Sequence, residues 1–344
     1  MNVNLTRMPL WLTCLLYIGC YVPYILITRL LATADVAELQ RPLTGLEILP
    51  ASLILSGLLT YLFAWLSGWW KAAACVRVLG LTIPVPTRWT ALSGAGTALI
   101  LFTVPLSYTF AGVSIPFMQL LMRGDLLIIA PLVDLVGGRK VRGYSWAALV
   151  LAAIGIFASV GERRGFHLPP LAWLTVALYT AGYFVRLTVM TKVAKTGEPG
   201  SIQKYFVEEK IVGIPLAVMA LGALSLSGLG AQGGQLGWGF VRVWTSEQLG
   251  AIAALAVLLF LVSVFSIVIL LDRRENSYCV PLERSSSILA GVIATGTLAT
   301  FYGHKPLTWT DLTGALRLIA AIIVLSIGPR LSGMRGTARA ATEP

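Results

Sequence analysis

SIPFMQLLMRGDLLIIAPLVDLV, residues 114–136, is apolar over the thickness of a bilayer, yet it carries Arg123 and Asp125 near its middle. A charge at the centre of a membrane costs a few kcal/mol on insertion scales, and it persists where it faces a bundle interior or a wet cavity and finds a partner. This segment therefore reads as a spanning helix that lines something. Pro116, Gln119 and Arg123 follow i, i+3, i+7 spacing and share a face, whereas Asp125 lies well round the helix from Arg123.

A second stretch has the same build. YCVPLERSSSILAGVIATGTLATFY, residues 278–302, has Pro281 near its start and Glu283-Arg284 soon after. Each stretch runs into a glycine followed by basic residues, Gly138-Arg139-Lys140 in one and Gly303-His304-Lys305 in the other, and then into another apolar helix. The correspondence reads as a weak internal duplication.

The composition fixes the class. The chain of 344 residues is 57% hydrophobic and 12% charged, with a mean hydropathy of +0.81. Soluble domains carry roughly 25% charged residues. The expected fold class is all-α, a polytopic membrane protein. Counting stretches of about 20 apolar residues gives about ten transmembrane helices. The net charge of +11 is accounted for by basic inner loops. No nucleic-acid partner is implied, because no soluble segment interleaves basic and aromatic residues. The four cysteines form no CxxC pair and the two histidines sit in short connections, so neither a disulfide framework nor a metal site follows. No cofactor motif is present.

The spans read as about 9–31, 48–66, 90–110, 114–136, 144–160, 168–193, 211–229, 248–271, 278–302 and 312–327. Between them, Ser67–Trp89 reads as an interfacial connector with some amphipathic helix. Lys192–Lys210 reads as a charged loop, and Ser227–Thr245 as a flexible glycine-rich loop. The first span carries a tyrosine stripe, Tyr17, Tyr21 and Tyr24, which reads as packing. The start of the third is rich in small residues, Ser93, Gly94, Ala95, Gly96 and Thr97 among them, a composition that lets backbones approach closely.

With the N-terminus inside, the inner connections hold most of the basic residues, Lys71, Arg77, Arg88, Arg139, Lys140 and Arg142 among them. That bias places both termini in the cytoplasm, as expected for a protein of the bacterial inner membrane. Five spans per half is an odd number, so repeats of five must be inserted in opposite senses. The halves are residues 1–160 and 161–330, with a cytoplasmic tail over 331–344. Inverted repeats place a substrate site near the midplane, between the halves.

The candidate binding residues follow from charge and hydrogen-bonding capacity at membrane depth. On the fourth span they are Gln119, Arg123 and Asp125. On the sixth, Arg186 sits beside Tyr179 and Tyr183 as an aromatic-lined cation. On the ninth, Glu283 and Arg284 are followed by Ser286 and Ser287, whose hydroxyls offer a polar surface beside the guanidinium. Intramembrane arginines outnumber the acids Asp125 and Glu283, which favours anionic or zwitterionic solutes. Either acid is a candidate carrier for a coupling proton. The competing reading is that these charges neutralise one another and pin the bundle.

The segments Pro116–Ile156 and Pro281–Ile327, each a charged helix, a short basic or polar turn and a helix with small residues seven apart (Ala148 and Gly155; Gly314 and Ala321), resemble the two EamA-type halves of the drug/metabolite transporter superfamily. The resemblance implies two inverted five-helix repeats, both termini inside, and a central cavity lined by the third, fourth, eighth and ninth helices. The function it implies is secondary transport of a small polar or anionic metabolite of the amino-acid, sugar-phosphate or nucleotide-sugar class, without enzymatic chemistry. Two alternatives stand beside it, a translocase of a polyprenyl-phosphate or other amphiphile and an intramembrane transferase. The expected partners are a small-molecule substrate and membrane lipid, with a homodimer compatible with the small-residue seams.

Overall fold

The computed structural model describes residues 8–36, 39–78, 81–107, 169–194, 200–228, 230–272 and 276–304, with single residues or short runs in parts of 110–150, at 198 and 306, and in parts of 309–320. Gln119, Arg123 and Asp125, and most of the fourth, fifth and tenth expected spans, lie outside the described residues.

The described chain is mostly helical. It comprises α1 (Leu10–Leu31), β1 (Asp35–Val36), β2 (Arg41–Pro42), α2 (Gly45–Leu66), a 3-10 turn (Trp69–Ala72), β3 (Cys75–Val78), β4 (Leu81–Pro84) and α3 (Arg88–Ser107). It continues with α4 (Pro170–Val193), α5 (Ser201–Leu226), α6 (Gly230–Val241), a second 3-10 turn (Arg242–Thr245), α7 (Leu249–Leu270) and α8 (Asn276–Tyr302). Among the described residues six helices are long and apolar enough to cross a membrane: α1, α2, α4, α5, α7 and the Leu282–Tyr302 part of α8. The protein is thus an all-α membrane protein in its main architecture. Two small hairpins, β1–β2 and β3–β4, join helices outside those spans.

The connection between α1 and α2 is closed by charge. Glu47 accepts a hydrogen bond from the backbone N–H of Thr44 at 2.7 Å, so it caps the start of α2. The same carboxylate takes two bonds from Arg41 on β2, at 3.0 and 2.6 Å. The strand pairing therefore ends in the residue that anchors the helix cap.

Two expected loops and one connector turn out differently. Residues 201–210 are the first turns of α5, not a loop, and Glu208, Glu209 and Lys210 are buried within it. Gly200 precedes them with φ +83°, a left-handed turn that an L side chain would strain. Ser227–Thr245 contains α6 rather than a flexible loop. One of its glycines serves close approach: a Cβ on Gly239 would lie 2.5 Å from the carbonyl oxygen of Glu47 and 3.0 Å from the ring of Pro50. Ser67–Trp89 holds the 3-10 turn and the β3–β4 hairpin instead of an amphipathic helix. The hairpin is held by Glu208, which accepts from the N–H of Ala74 (3.0 Å), the N–H of Thr87 (3.2 Å) and the hydroxyl of Thr90 (2.8 Å).

In the bundle, α3 packs on α4 and α5, and α7 packs on α1 and α2; α1 also packs on α8, and α6 lies against α2 and α5. The small residues of α3 are used within the molecule. A Cβ on Gly96 would come 2.7 Å from the carbonyl oxygen of Gly182, and one on Gly182 would come 2.6 Å from that of Gly96. The α3–α4 crossing is therefore a backbone-to-backbone contact.

Candidate binding site

Six helices bring buried polar side chains to one region. On α4, Tyr179, Tyr183 and Arg186 fall at i, i+4, i+7 and share a face; all three are buried. On α5, Tyr205 and Glu209 are one turn apart and Lys210 follows. Ser93 and Thr97 lie one turn apart on α3. The tyrosine stripe comes from α1, Ser263 and Ser266 from α7, and Glu283 and Arg284 from about two turns into α8.

These side chains form two ion-pair clusters. In the first, Glu209 Oε1 accepts from Arg186 Nε at 2.7 Å, Thr97 at 2.6 Å, Tyr205 at 2.9 Å and Ser93 at 3.2 Å. Its Oε2 receives Arg186 Nη2 at 3.4 Å. A buried carboxylate must be matched this closely, because each ion taken out of water costs several kcal/mol unless its lone pairs are filled.

In the second cluster, Arg284 Nε lies 2.9 Å from Glu283 Oε2. Glu283 Oε1 accepts from Tyr17 at 2.9 Å and from Ser266 at 3.0 Å. Arg284 donates through Nη1 to the hydroxyl of Tyr179 at 2.9 Å, and its guanidinium stands 4.3 Å from the centroid of the Tyr183 ring, a cation–π distance. The second cluster thus ties α1, α4, α7 and α8 together.

A cavity of about 80 Å³, lined by polar and apolar side chains, lies between the clusters. Its wall includes Tyr17, Tyr21 and Tyr24 of α1, Thr97 of α3, Tyr183 and Arg186 of α4, Lys210 of α5, Ser263 and Ser266 of α7, and Glu283 and Arg284 of α8. A larger space of about 350 Å³ runs between α3, α4 and α5, but its lining, Leu92, Phe102, Leu216 and Leu224 among it, has no charged residue. It lies on the apolar side of the Gly96–Gly182 crossing and suits hydrocarbon. The smaller cavity holds the groups that can recognise a polar solute, so it is the candidate site.

The structure thus brings Tyr179, Tyr183, Arg186, Glu283 and Arg284 together. Ser286 and Ser287 sit beside them in sequence but use their protons on their own helix: Ser286 donates to the carbonyl of Leu282 at 2.9 Å and Ser287 to that of Arg284 at 2.7 Å. Neither belongs to the described wall of the cavity. Gln119, Arg123 and Asp125 lie outside the described residues, though Met118, Leu121 and Met122 from the same stretch share a buried core cluster with Tyr179 and Tyr183.

Sequence reasoning missed Glu209 and Lys210, because both were assigned to a loop. The signal that could have placed them is Tyr205, one turn before Glu209, extending the helical face backwards from the apolar run. It also took the α1 tyrosines for packing, whereas Tyr17 bonds an intramembrane acid. Ser263 and Ser266, the only hydroxyl-bearing residues of α7, carried a signal that was not weighed.

No family model matches the chain, and no curated protein matches it. Solved structures do. One, a crystal structure of a protein, aligns at a TM-score of 0.54 and 16% sequence identity, covering 93% of this chain and 96% of its own. At that identity the likeness concerns the fold alone, and it extends over nearly the whole of both chains.

Proposed function

We propose that this chain is a secondary transporter that moves a small polar or anionic metabolite across the membrane by alternating access of two inverted five-helix halves. The observation that carries the reading is the cavity: charged and hydroxyl groups from α1, α3, α4, α5, α7 and α8 converge on one space, and five of these six helices are apolar enough to span a bilayer. A bundle needing only cohesion has no use for so many ionisable groups at that depth, which are costly there. A solute that exchanges its hydration for these groups does.

The packing supports the division into halves. Exchanging α1 with α4, α2 with α5 and α3 with α7 maps the α3–α4 and α3–α5 contacts onto the α7–α1 and α7–α2 contacts. Repeats related in this way place the site at their interface, where the cavity lies. In this reading both termini are cytoplasmic, the inner membrane of a bacterium is the location, Asp125 and Glu283 are the candidates for a coupling proton, and no bond of the solute is made or broken.

The test is uptake and counterflow in proteoliposomes with labelled amino acids, sugar phosphates and nucleotide sugars, with and without a pH gradient. Saturable flux that falls in Arg284→Ala is expected. Equal flux in wild type and variant would reduce the charges to pins of the bundle.

A further inference from the structure

We propose that Lys210 is the anchor for a negatively charged group, so that the solute taken by this cavity carries a single negative charge, as in a carboxylate. The inference rests on the reading of the cavity as a solute site and adds the charge of the solute and the residue that meets it.

Among the described residues, the charges around the cavity cancel in pairs, with one left over. Arg186 is matched by Glu209 and Arg284 by Glu283. Lys210 is the remainder among the described residues. It is 4% exposed and forms part of the cavity wall. Its ammonium makes no hydrogen bond to any described residue, and the ring centroid of Phe206 lies 6.0 Å away. Glu209 is its neighbour in sequence, but that carboxylate already receives Arg186, Thr97, Tyr205 and Ser93. Lys210 is therefore a buried ammonium on the cavity wall with no acceptor among the described residues to fill its three donors.

Glu209 acts on Lys210 through space, but a buried ammonium whose donors are unfilled is still costly, and an anion in the cavity removes that cost. The rest of the wall defines the remainder of the ligand. Tyr183, Tyr21 and Tyr24 offer aromatic faces, while Ser263 offers a hydroxyl. A compact carboxylate with an apolar or planar body fits these surfaces. Against the described charges a dianion would leave one charge uncompensated, and a cation would meet Lys210 with like charge.

The test uses the full chain in nanodiscs at constant ionic strength, titrated with acetate and formate and, as the neutral match, acetamide. Thermal unfolding and tyrosine difference absorbance are the readouts. The expected result is a saturable shift with acetate and formate and none with acetamide. In Lys210→Gln the acetate affinity should fall by more than about thirty-fold, the scale for removing one member of a buried charge pair. Should that variant not fold, Lys210→Arg carries the test: its acetate Kd changes if the anion sits on residue 210. The proposal is overturned if acetamide acts like acetate, if neither anion shifts the wild type, or if the Kd is unchanged in the variants. Lys210-dependent acetate binding without flux of any metabolite would keep the anion site and remove the transport reading. Carboxylate flux that persists undiminished in Lys210→Gln would do the reverse.

Discussion

Tyr183 serves the arginine of another helix more closely than the one on its own. Its ring centroid is 4.3 Å from the guanidinium carbon of Arg284 on α8 and 5.9 Å from that of Arg186 on α4. Tyr179, one turn earlier, accepts a hydrogen bond from the same Arg284. The aromatic face of α4 is thus the seat of an α8 cation, while Arg186 turns to Glu209 on α5.

Replacing Tyr183 separates ring from hydroxyl. Tyr183→Phe keeps the face over Arg284 and should leave solute affinity within about twofold. Tyr183→Leu removes a desolvated cation–π contact, of order 1–2 kcal/mol, and should weaken binding by about five- to thirty-fold. Equal Kd values for the two variants would show that the ring does not hold Arg284 in place.

Glu209 should matter more for stability than for any single solute contact. Glu209→Gln leaves the Arg186 guanidinium buried without its counter-ion, a change worth about 3–5 kcal/mol. Thermal unfolding in nanodiscs should show a large loss for Glu209→Gln and partial recovery in the double variant Arg186→Met/Glu209→Gln. A double variant no more stable than the single one would mean that Arg186 finds another partner.

The α3–α4 crossing tolerates no side chain at its closest point. A Cβ at Gly96 or Gly182 meets the opposing carbonyl oxygen at 2.7 or 2.6 Å, and backbone cannot rotate away as a flexible side chain can. Gly96→Ala should cost about 1–3 kcal/mol, the range for overpacking, and Gly96→Leu more. By contrast Gly250, with nothing within 4 Å of its added Cβ, should accept alanine without loss of thermal stability.

Glu208 fastens the β3–β4 hairpin through two backbone amides and the Thr90 hydroxyl. Hydrogen bonds to a charged group are worth about 1.5–3 kcal/mol each. In Glu208→Ala the hairpin should be cut by trypsin at Arg77 several-fold faster than in wild type, with the cleavage rate read by gel or mass spectrometry. An unchanged rate would place the hold on the hairpin elsewhere.

Much of the architecture was legible in the sequence because hydropathy reports directly on spanning helices. The helices found at Leu10–Leu31, Pro170–Val193 and Leu249–Leu270 lie within two residues of the expected spans. Intramembrane charge likewise pointed to Arg186, Glu283 and Arg284. The failures have one cause, the override of local composition by packing. Glycines cost a helix about 1 kcal/mol each, so Gly230–Val241 reads as loop until Gly239 is seen pressed against the backbone of Glu47 and the ring of Pro50 on α2. Charges mark loops in membrane chains, so Glu208-Glu209-Lys210 reads as a boundary until the hydroxyls of α3 are seen bonded to the two acids. Those partners lie more than a hundred residues away in sequence, and no local pattern reveals them.

In the proposed transport cycle the cavity is reached from both sides of the membrane in turn. Ser263 lies on its wall, and the four native cysteines can be replaced so that Ser263→Cys is the only thiol. A small membrane-impermeant thiol reagent is then applied from one side or the other of sealed, oriented vesicles. Alternating access requires labelling from each side, and a solute that fills the cavity should slow both reactions. Labelling from one side only, or from neither, would contradict the transport mechanism.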